Sequence, residues 1–251
     1  MTVLIGPTGC VGRDVELSEL AERLQGTVSD GVRVVAVVGD SGTGKTALLR
    51  ALADQHGSTM WARATVWESE LPGGVLAQLL QDEVPDDPVD AAAHLVDRLR
   101  HPEPTLLIVD DAQHTDTESF QAISTLVRHQ RELSVLVVLA AAVPPSWVLD
   151  IAGETLALAG LSERGVAALA AARGRALHPS VVGALTQHTA GSPRDVLALL
   201  DEVPDSVWSQ PDAVLPAPPH IPARTRERLA QCTPGGRALV EAVAVLGDAG
   251  T

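Results

Sequence analysis

The stretch Arg33–Thr46, RVVAVVGDSGTGKT, constrains this chain more than any other. Val34, Val35, Val37 and Val38 form an apolar, β-branched run of strand length, and a helix-forming run, Ala47–Ala53, starts directly after Thr46. Between them, Gly39–Thr46 spells G-x-x-x-x-G-K-T in the strand–loop–helix setting that a phosphate-binding loop requires. Glycines 39, 42 and 44 let successive backbone N–H groups turn inward on phosphate oxygens. The expected cradle is therefore Gly39, Asp40, Ser41, Gly42, Thr43, Gly44, Lys45, Thr46 and Ala47, with the positive end of the new helix facing the same anion. Lys45 is expected to reach the β- and γ-phosphates, a role in both binding and catalysis, and the Thr46 hydroxyl to hold Mg²⁺. The octet predicts nucleoside triphosphate binding.

A second site is expected at Leu106–Asp111, LLIVDD. Four apolar residues carry two carboxylates to the end of a buried strand, where open α/β sheets place their ligands. Asp110 is the expected partner of Mg²⁺, directly or through water. Asp111 is the candidate base that would polarise an attacking water. The tetrapeptide Gly39-Asp40-Ser41-Gly42 also resembles the surroundings of the nucleophile in trypsin-like serine proteases. Such an enzyme needs a base and an orienting acid beside the serine, and the first histidine, His56, falls inside a helical pattern.

The 251 residues allow one large domain or two small ones, and 45 % hydrophobic content predicts a globular chain. Aromatic content is 2 %, so small aliphatics are expected to fill the core. A net charge of −14 without a compact Lys/Arg cluster argues against nucleic-acid binding by this segment. Cys10 and Cys232 lack metal-ligand spacing and read as two reduced thiols. The N-terminus has neither a cationic start nor a long apolar core, and the longest apolar run, Val135–Val143, is strand-sized. A cytoplasmic protein without membrane contact is expected.

Along the chain, an amphipathic helix follows Gly12-Arg13, with Val15, Leu17, Leu20, Ala21 and Leu24 on its apolar side, and Gly26–Val32 reads as a polar turn. Further strands are expected over Met60–Val66, Leu133–Val143 and Glu154–Gly160, and helices over Ala91–Arg100 and Thr117–Arg131. Asp82–Asp90 reads as an acidic surface loop. From Leu161 the texture changes to Ala-rich helices through Arg173 and over His178–His188, with Ser162 as an N-cap. Val203–Pro222 reads as a Pro-rich linker, and helix is expected again over Thr225–Leu229 and Gly236–Leu246. The expected division is a P-loop core over 1–160, a helical lid over 161–203, and a linker with the start of a further helical domain over 204–251.

Val11-Gly12-Arg13, with Glu16-Leu17 and Leu20 after it, resembles the V-G-R-x-x-E-L-x-x-L opening of the STAND class of P-loop ATPases. Ala112–Asp116 resembles the D-D-A-H-W-A-D continuation of the large ATP-binding LuxR-type transcriptional regulators of bacteria, with Gln113 and His114 in place of His and Trp. Thr189–Arg194, TAGSPR, is similar to that family's T-x-G-x-P turn. The resemblance implies an α/β P-loop NTPase fold of the AAA/STAND type. That fold is a three-layer sandwich around a five-stranded parallel sheet, with a small all-helical lid. It further implies that Val11, Gly12 and Arg13 lie against adenine, that Pro193 approaches the nucleotide, and that Arg194 stands where many AAA-type proteins carry a sensor arginine. Without the resemblance, Arg13 reads as an exposed residue ahead of an ordinary helix, and Arg194 as a solvated arginine beside Asp195.

AAA-type enzymes usually end the fourth strand with a polar γ-phosphate sensor, whereas this chain has Ala140, Ala141 and Ala142. The resulting expectation is an ATP·Mg²⁺-binding signal-transduction switch with slow hydrolysis and possible self-association, the N-terminal part of a longer transcriptional regulator with sensor and DNA-binding domains beyond it. The alternatives are a motor or loader ATPase with multiple turnover and a non-hydrolysing nucleotide-binding scaffold.

Overall fold

The computed structural model describes residues 10–82, 84–85, 87–208, 215–218, 229 and 232–248. Five strands, β1 (Arg33–Val38), β2 (Thr59–Arg63), β3 (Thr105–Asp110), β4 (Val135–Ala141) and β5 (Glu154–Ala157), form one sheet in the order β2-β3-β4-β1-β5. All four pairings are parallel, so every strand ends on the same edge of the sheet. The expected five-stranded parallel sheet is present. β4 lies between β1 and β3, so its end separates the glycine-rich loop after β1 from the acids ending β3.

Strand residues alternate between two apolar layers. Ala36, Leu107, Val109, Val137 and Leu139 face α3 (Gly74–Leu80), α4 (Pro88–Leu99) and α5 (Thr117–His129). Val35, Val37, Leu106, Ile108, Leu136 and Val138 face α1 (Asp14–Asp30) and α2 (Lys45–Gln55). With both faces covered, β3 and β4 are buried at every position, which is why they read as continuous apolar runs. Each fully buried Leu or Ile side chain contributes roughly 1.5–3 kcal/mol, so the sheet centre is a stiff platform for its carboxyl edge.

Several boundaries differ from expectation. α1 runs through Gly26 to Asp30, where a polar turn was expected. Thr27 is fully buried with its hydroxyl on Leu24 O, and the Arg33 side chain covers Gly26, so tertiary packing carries the helix on to Gly31. Val15 is 69 % exposed and does not belong to the apolar face. β2, β4 and β5 are shorter than their apolar runs, and Val66 and Val143 are exposed beyond the strand ends. α4 begins at Pro88 inside the expected acidic loop, because Asp87 caps it through Val89 N–H and Asp90 N–H.

α6 (Ser146–Ile151) lies between β4 and β5. After β5, α7 (Glu163–Ala172), α8 (Pro179–Thr189), α9 (Pro193–Glu202) and α10 (Asp205–Trp208) pack around Val166, Leu169, Val181, Leu185, Val196 and Leu199. Ser162 caps α7 as expected, with Gly165 N–H on its hydroxyl. Residues 203–208, read as linker, instead bury Val203 and Trp208 in this cluster, with the indole donating to Val203 O at 3.1 Å. Leu215 packs against the same cluster, while 209–214 and 219–222 of the Pro-rich stretch lie outside the described residues. So does the helix expected over Thr225–Leu229, except for its last residue. A final helix, α11, spans Pro234–Asp248. Among the described residues no helix is long and apolar enough to cross a membrane.

Candidate functional site at the carboxyl edge of the sheet

The loop from Gly39 to Gly44 turns on two left-handed residues, Gly42 and Gly44, each with φ +96°. At Gly39 the need for glycine is space, since a Cβ there would collide with Leu158 O. Gly39 N–H donates to Ala141 O at 3.4 Å, which anchors the loop to the end of β4. The Thr43 N–H and hydroxyl both donate to Asp40 O, at 3.2 and 2.8 Å, closing the curl. α2 starts at Lys45 without a side-chain cap and with no acid in its first turn, which contains Ala47. Its first N–H groups are thus left to an anion. Lys45 is buried, and its ammonium donates to Gly39 O at 2.7 Å and Asp40 O at 3.1 Å. Burial pulls its pKa down, opposed by the charges of Asp111, Asp110 and Asp40. A desolvated cation held by two backbone carbonyls of the loop is suited to an incoming anion.

The Thr46 hydroxyl donates to Asp110 Oδ2 at 2.7 Å, so the two expected metal-binding oxygens already face one another. Asp110 is fully buried. Burial pushes its pKa up and the neighbouring charge of Asp111 adds to this, while the bonds from Thr46 and Asp111 N–H and the charge of Arg63 oppose it. A buried carboxylate beside a hydroxyl is the hard-oxygen donor set that suits Mg²⁺.

Asp111 follows β3 in a left-handed conformation, φ +54°, with its carboxylate half-buried. One carboxylate oxygen accepts from Arg63 Nε at 3.1 Å and Nη2 at 3.0 Å. The other faces Gln113 Nε2 at 3.5 Å, and Gln113 Oε1 accepts from Ala142 N–H at 3.3 Å. Gln78 on α3 fixes the end of β2 by bonding both backbone groups of Arg63, at 2.9 and 3.1 Å.

On the other side, the start of α9 rests on the loop. Gly42 O accepts from Arg194 N–H at 3.3 Å and faces the Ser192 hydroxyl at 3.5 Å. The Arg194 guanidinium bonds the Ser41 hydroxyl and carbonyl, both at 3.2 Å, and faces Asp195 at 3.3 Å. Pro193 lies over Gly44. The turn before α1 lies against the same helices: Gly12 abuts Gly165 and Leu161, and Val11 packs on the helical cluster. Arg13 is buried rather than exposed, with its guanidinium on Glu16 at 2.7 Å, Thr43 O at 3.1 Å, and Ala159 O.

Residues 9–138, just over half of the chain, match the AAA ATPase domain. The chain belongs to the AAA ATPase domain family. Membership in this family implies nucleotide binding. No curated protein matches the chain. Among solved structures it is similar to Cdc6p of Pyrobaculum aerophilum, at 17 % identity and a TM-score of 0.55 over 75 % of this chain and 60 % of that one. It is also similar to Drosophila ORC bound to DNA, at 18 % identity and 0.56 over 84 % and 60 %. The Thermotoga maritima RuvB Holliday junction branch migration motor matches at 16 % identity and 0.53 over 87 % and 70 %. The chain spans about 60 % of the length of the first two. At these identities the likeness establishes an AAA-type fold.

The structure gathers Gly39–Thr46, Asp110, Asp111, Pro193 and Arg194 around one edge, with Val11–Arg13 beside them. Sequence reasoning missed Arg63 and Gln78. Arg63 ends β2 directly opposite Asp110 in register, but that neighbour relation exists only once β2 pairs with β3. Asp116, read as part of a motif, is a buried carboxylate accepting from Gly73, Val75 and Ser119, which ties the loop after β2 to α5.

Proposed function

We propose that this AAA ATPase domain is an ATP-dependent signal-transduction switch with slow hydrolysis. The observation that carries the reading is the seat of α9 on the glycine-rich loop, through Gly42 O and Ser41. A group bound in the loop and the position of the helical bundle then share the same few contacts, which is what a two-state device needs. In this reading α7–α9 act as a lid, Thr46 and Asp110 hold Mg²⁺, and Lys45 leaves its backbone carbonyls for the β- and γ-phosphates. Mg²⁺ supplies neutralisation of phosphate charge. Once its carboxylate is free of Arg63, Asp111 accepts a proton from the attacking water as the water oxygen bonds the γ-phosphorus. The bond from that phosphorus to the β–γ bridging oxygen breaks, and ADP leaves with that bond's electron pair on the oxygen.

The resemblance of VGRDVEL, LLIVDDA and TAGSPR to STAND and LuxR-type ATPases supports a role in bacterial transcription regulation, with DNA contacted by chain other than these residues. The acidic balance of the segment favours that division. ATP binding and single-turnover hydrolysis by the parent, Lys45→Ala and Asp111→Asn test it. Lys45→Ala weakens binding, and Asp111→Asn keeps binding while slowing an already slow step. Turnover on the order of 10 per second, a typical enzyme median, would instead favour a motor. Undiminished affinity in Lys45→Ala would remove the phosphate-binding role of the loop.

A further inference from the structure

We infer that Gln113 supplies the polar group that β4 lacks, positioning the γ-phosphate or the attacking water from a different element. The inference rests on the ATPase reading above and adds a residue to it. The ends of β3, β4 and β1 stand side by side, so the end of β4 lies between the acids and the glycine-rich loop. Transfer of a phosphoryl group develops charge there, and a donor fixed in advance at that point stabilises it. β4 itself contributes Ala140 and Ala141, both fully buried, and then Ala142.

The short 3₁₀ turn Ala112–His114 brings Gln113 across this gap. Its carboxamide has one assigned orientation: Oε1 accepts from Ala142 N–H at 3.3 Å, which turns Nε2 toward Asp111 Oδ1 at 3.5 Å. An NH₂ group has two hydrogens, and at 3.5 Å the approach to Asp111 is at the limit of a hydrogen bond. Nε2 thus keeps donor capacity at the sheet edge, beside the candidate base and at the strand next to the loop. Gln113 is half-buried, which leaves room for a ligand atom against the amide. It acts as a positioning residue, with Asp111 doing the proton transfer.

The test uses the whole chain and two variants. Gln113→Met keeps length and removes the amide. Gln113→His keeps an acceptor and a donor on one flat group. The readouts are Mg·ADP affinity, trapping of Mg·ADP with aluminium fluoride as a mimic of the transferring phosphoryl group, and single-turnover ATP hydrolysis. Gln113→Met should leave Mg·ADP affinity unchanged and weaken aluminium fluoride trapping by about 100-fold, the lower end for losing one such donor, with hydrolysis falling in parallel. Gln113→His should retain most of the trapping. Trapping by Gln113→Met equal to the parent overturns the inference, as does a parent that binds Mg·ADP and traps nothing. A parent that binds no nucleotide overturns the ATPase reading itself, so the two failures are distinguishable.

Discussion

Arg63, at the end of β2, holds one oxygen of Asp111 with two nitrogens, Nε at 3.1 Å and Nη2 at 3.0 Å. The arginine is about half exposed, so the pair contributes only about 0–1 kcal/mol and opens readily. While closed, it occupies lone pairs that an attacking water would need. Arg63→Ala should therefore raise the single-turnover rate severalfold and leave ADP affinity and melting temperature nearly unchanged. A fall in the rate would show that Arg63 acts on the substrate and not as a brake.

Asp110 carries a stability cost that its site needs. Its pKa is raised in the fold by burial above the ordinary 3.8. Between the two values the folded state holds a proton that the unfolded chain has released, so stability falls as pH rises through that interval and the cost is complete above it. Asp110→Asn keeps an acceptor for Thr46 without the buried charge. In metal-free buffer at pH 7 it should melt above the parent, by about 2–4 °C per kcal/mol recovered, with the gap closing as pH drops toward 4. Mg²⁺-dependent nucleotide affinity should be lost in the same variant. Equal melting at pH 7 would show that solvent relieves the buried charge.

Asp116 joins three segments through a single carboxylate. It accepts from Gly73 N–H at 2.8 Å, Val75 N–H at 3.2 Å, Ser119 N–H at 2.9 Å and the Ser119 hydroxyl at 2.7 Å. Asp116→Ala removes the cap of α5 and strands buried donors, a cost of roughly 3 kcal/mol. That corresponds to a melting temperature lower by about 6–12 °C for a chain of this size. Urea unfolding of the parent and variant measures it, and a difference under about 1 kcal/mol would mean that water replaces the carboxylate.

How much of this was legible depended on whether a feature is local. Gly39–Thr46 and Asp110 are contiguous patterns whose strand and helix neighbours sit in the same stretch, and each falls where the sequence puts it. The sheet was legible too, because strands buried on both faces leave unbroken apolar runs. Arg63, Gln113 and Asp116 act through partners 48, 29 and 43 residues away, a relation fixed by strand order and not by spacing. Arg13 shows the same limit: its burial depends on Thr43 and Ala159 meeting in space. At Gly26, local propensity favoured a turn, and packing by Thr27 and Arg33 overrode it.

The two thiols should separate by reactivity. Cys10 is buried in the layer that includes α1, and burial pushes its pKa to about 11, whereas Cys232 is exposed. At pH 8 only about one Cys10 in a thousand is thiolate, the form that reacts. Iodoacetamide followed by peptide mass spectrometry should label Cys232 alone in the native chain and both residues in urea. Native labelling of Cys10 at a similar rate would mean that the turn ahead of α1 opens freely.

Arg194 offers the sharpest reading of the loop and the helical bundle together. Its guanidinium lies on Ser41 from the first turn of α9, while its backbone N–H holds Gly42 O. A γ-phosphate gives this cation a stronger partner than a serine, whereas ADP leaves it on the loop. A hydrogen bond to a charged group is worth about 1.5–3 kcal/mol, or roughly 10- to 100-fold in affinity. Arg194→Ala should narrow the ratio of ATP to ADP affinity by that amount, mainly by weakening ATP, and Arg194→Lys should recover part of it as a point charge. Titrations with both nucleotides under the same Mg²⁺ measure the ratio. If the ratio is unchanged, Arg194 is a packing contact between α9 and the loop, and the switch must read its nucleotide through other groups at the sheet edge, such as Lys45, Thr46 and Gln113.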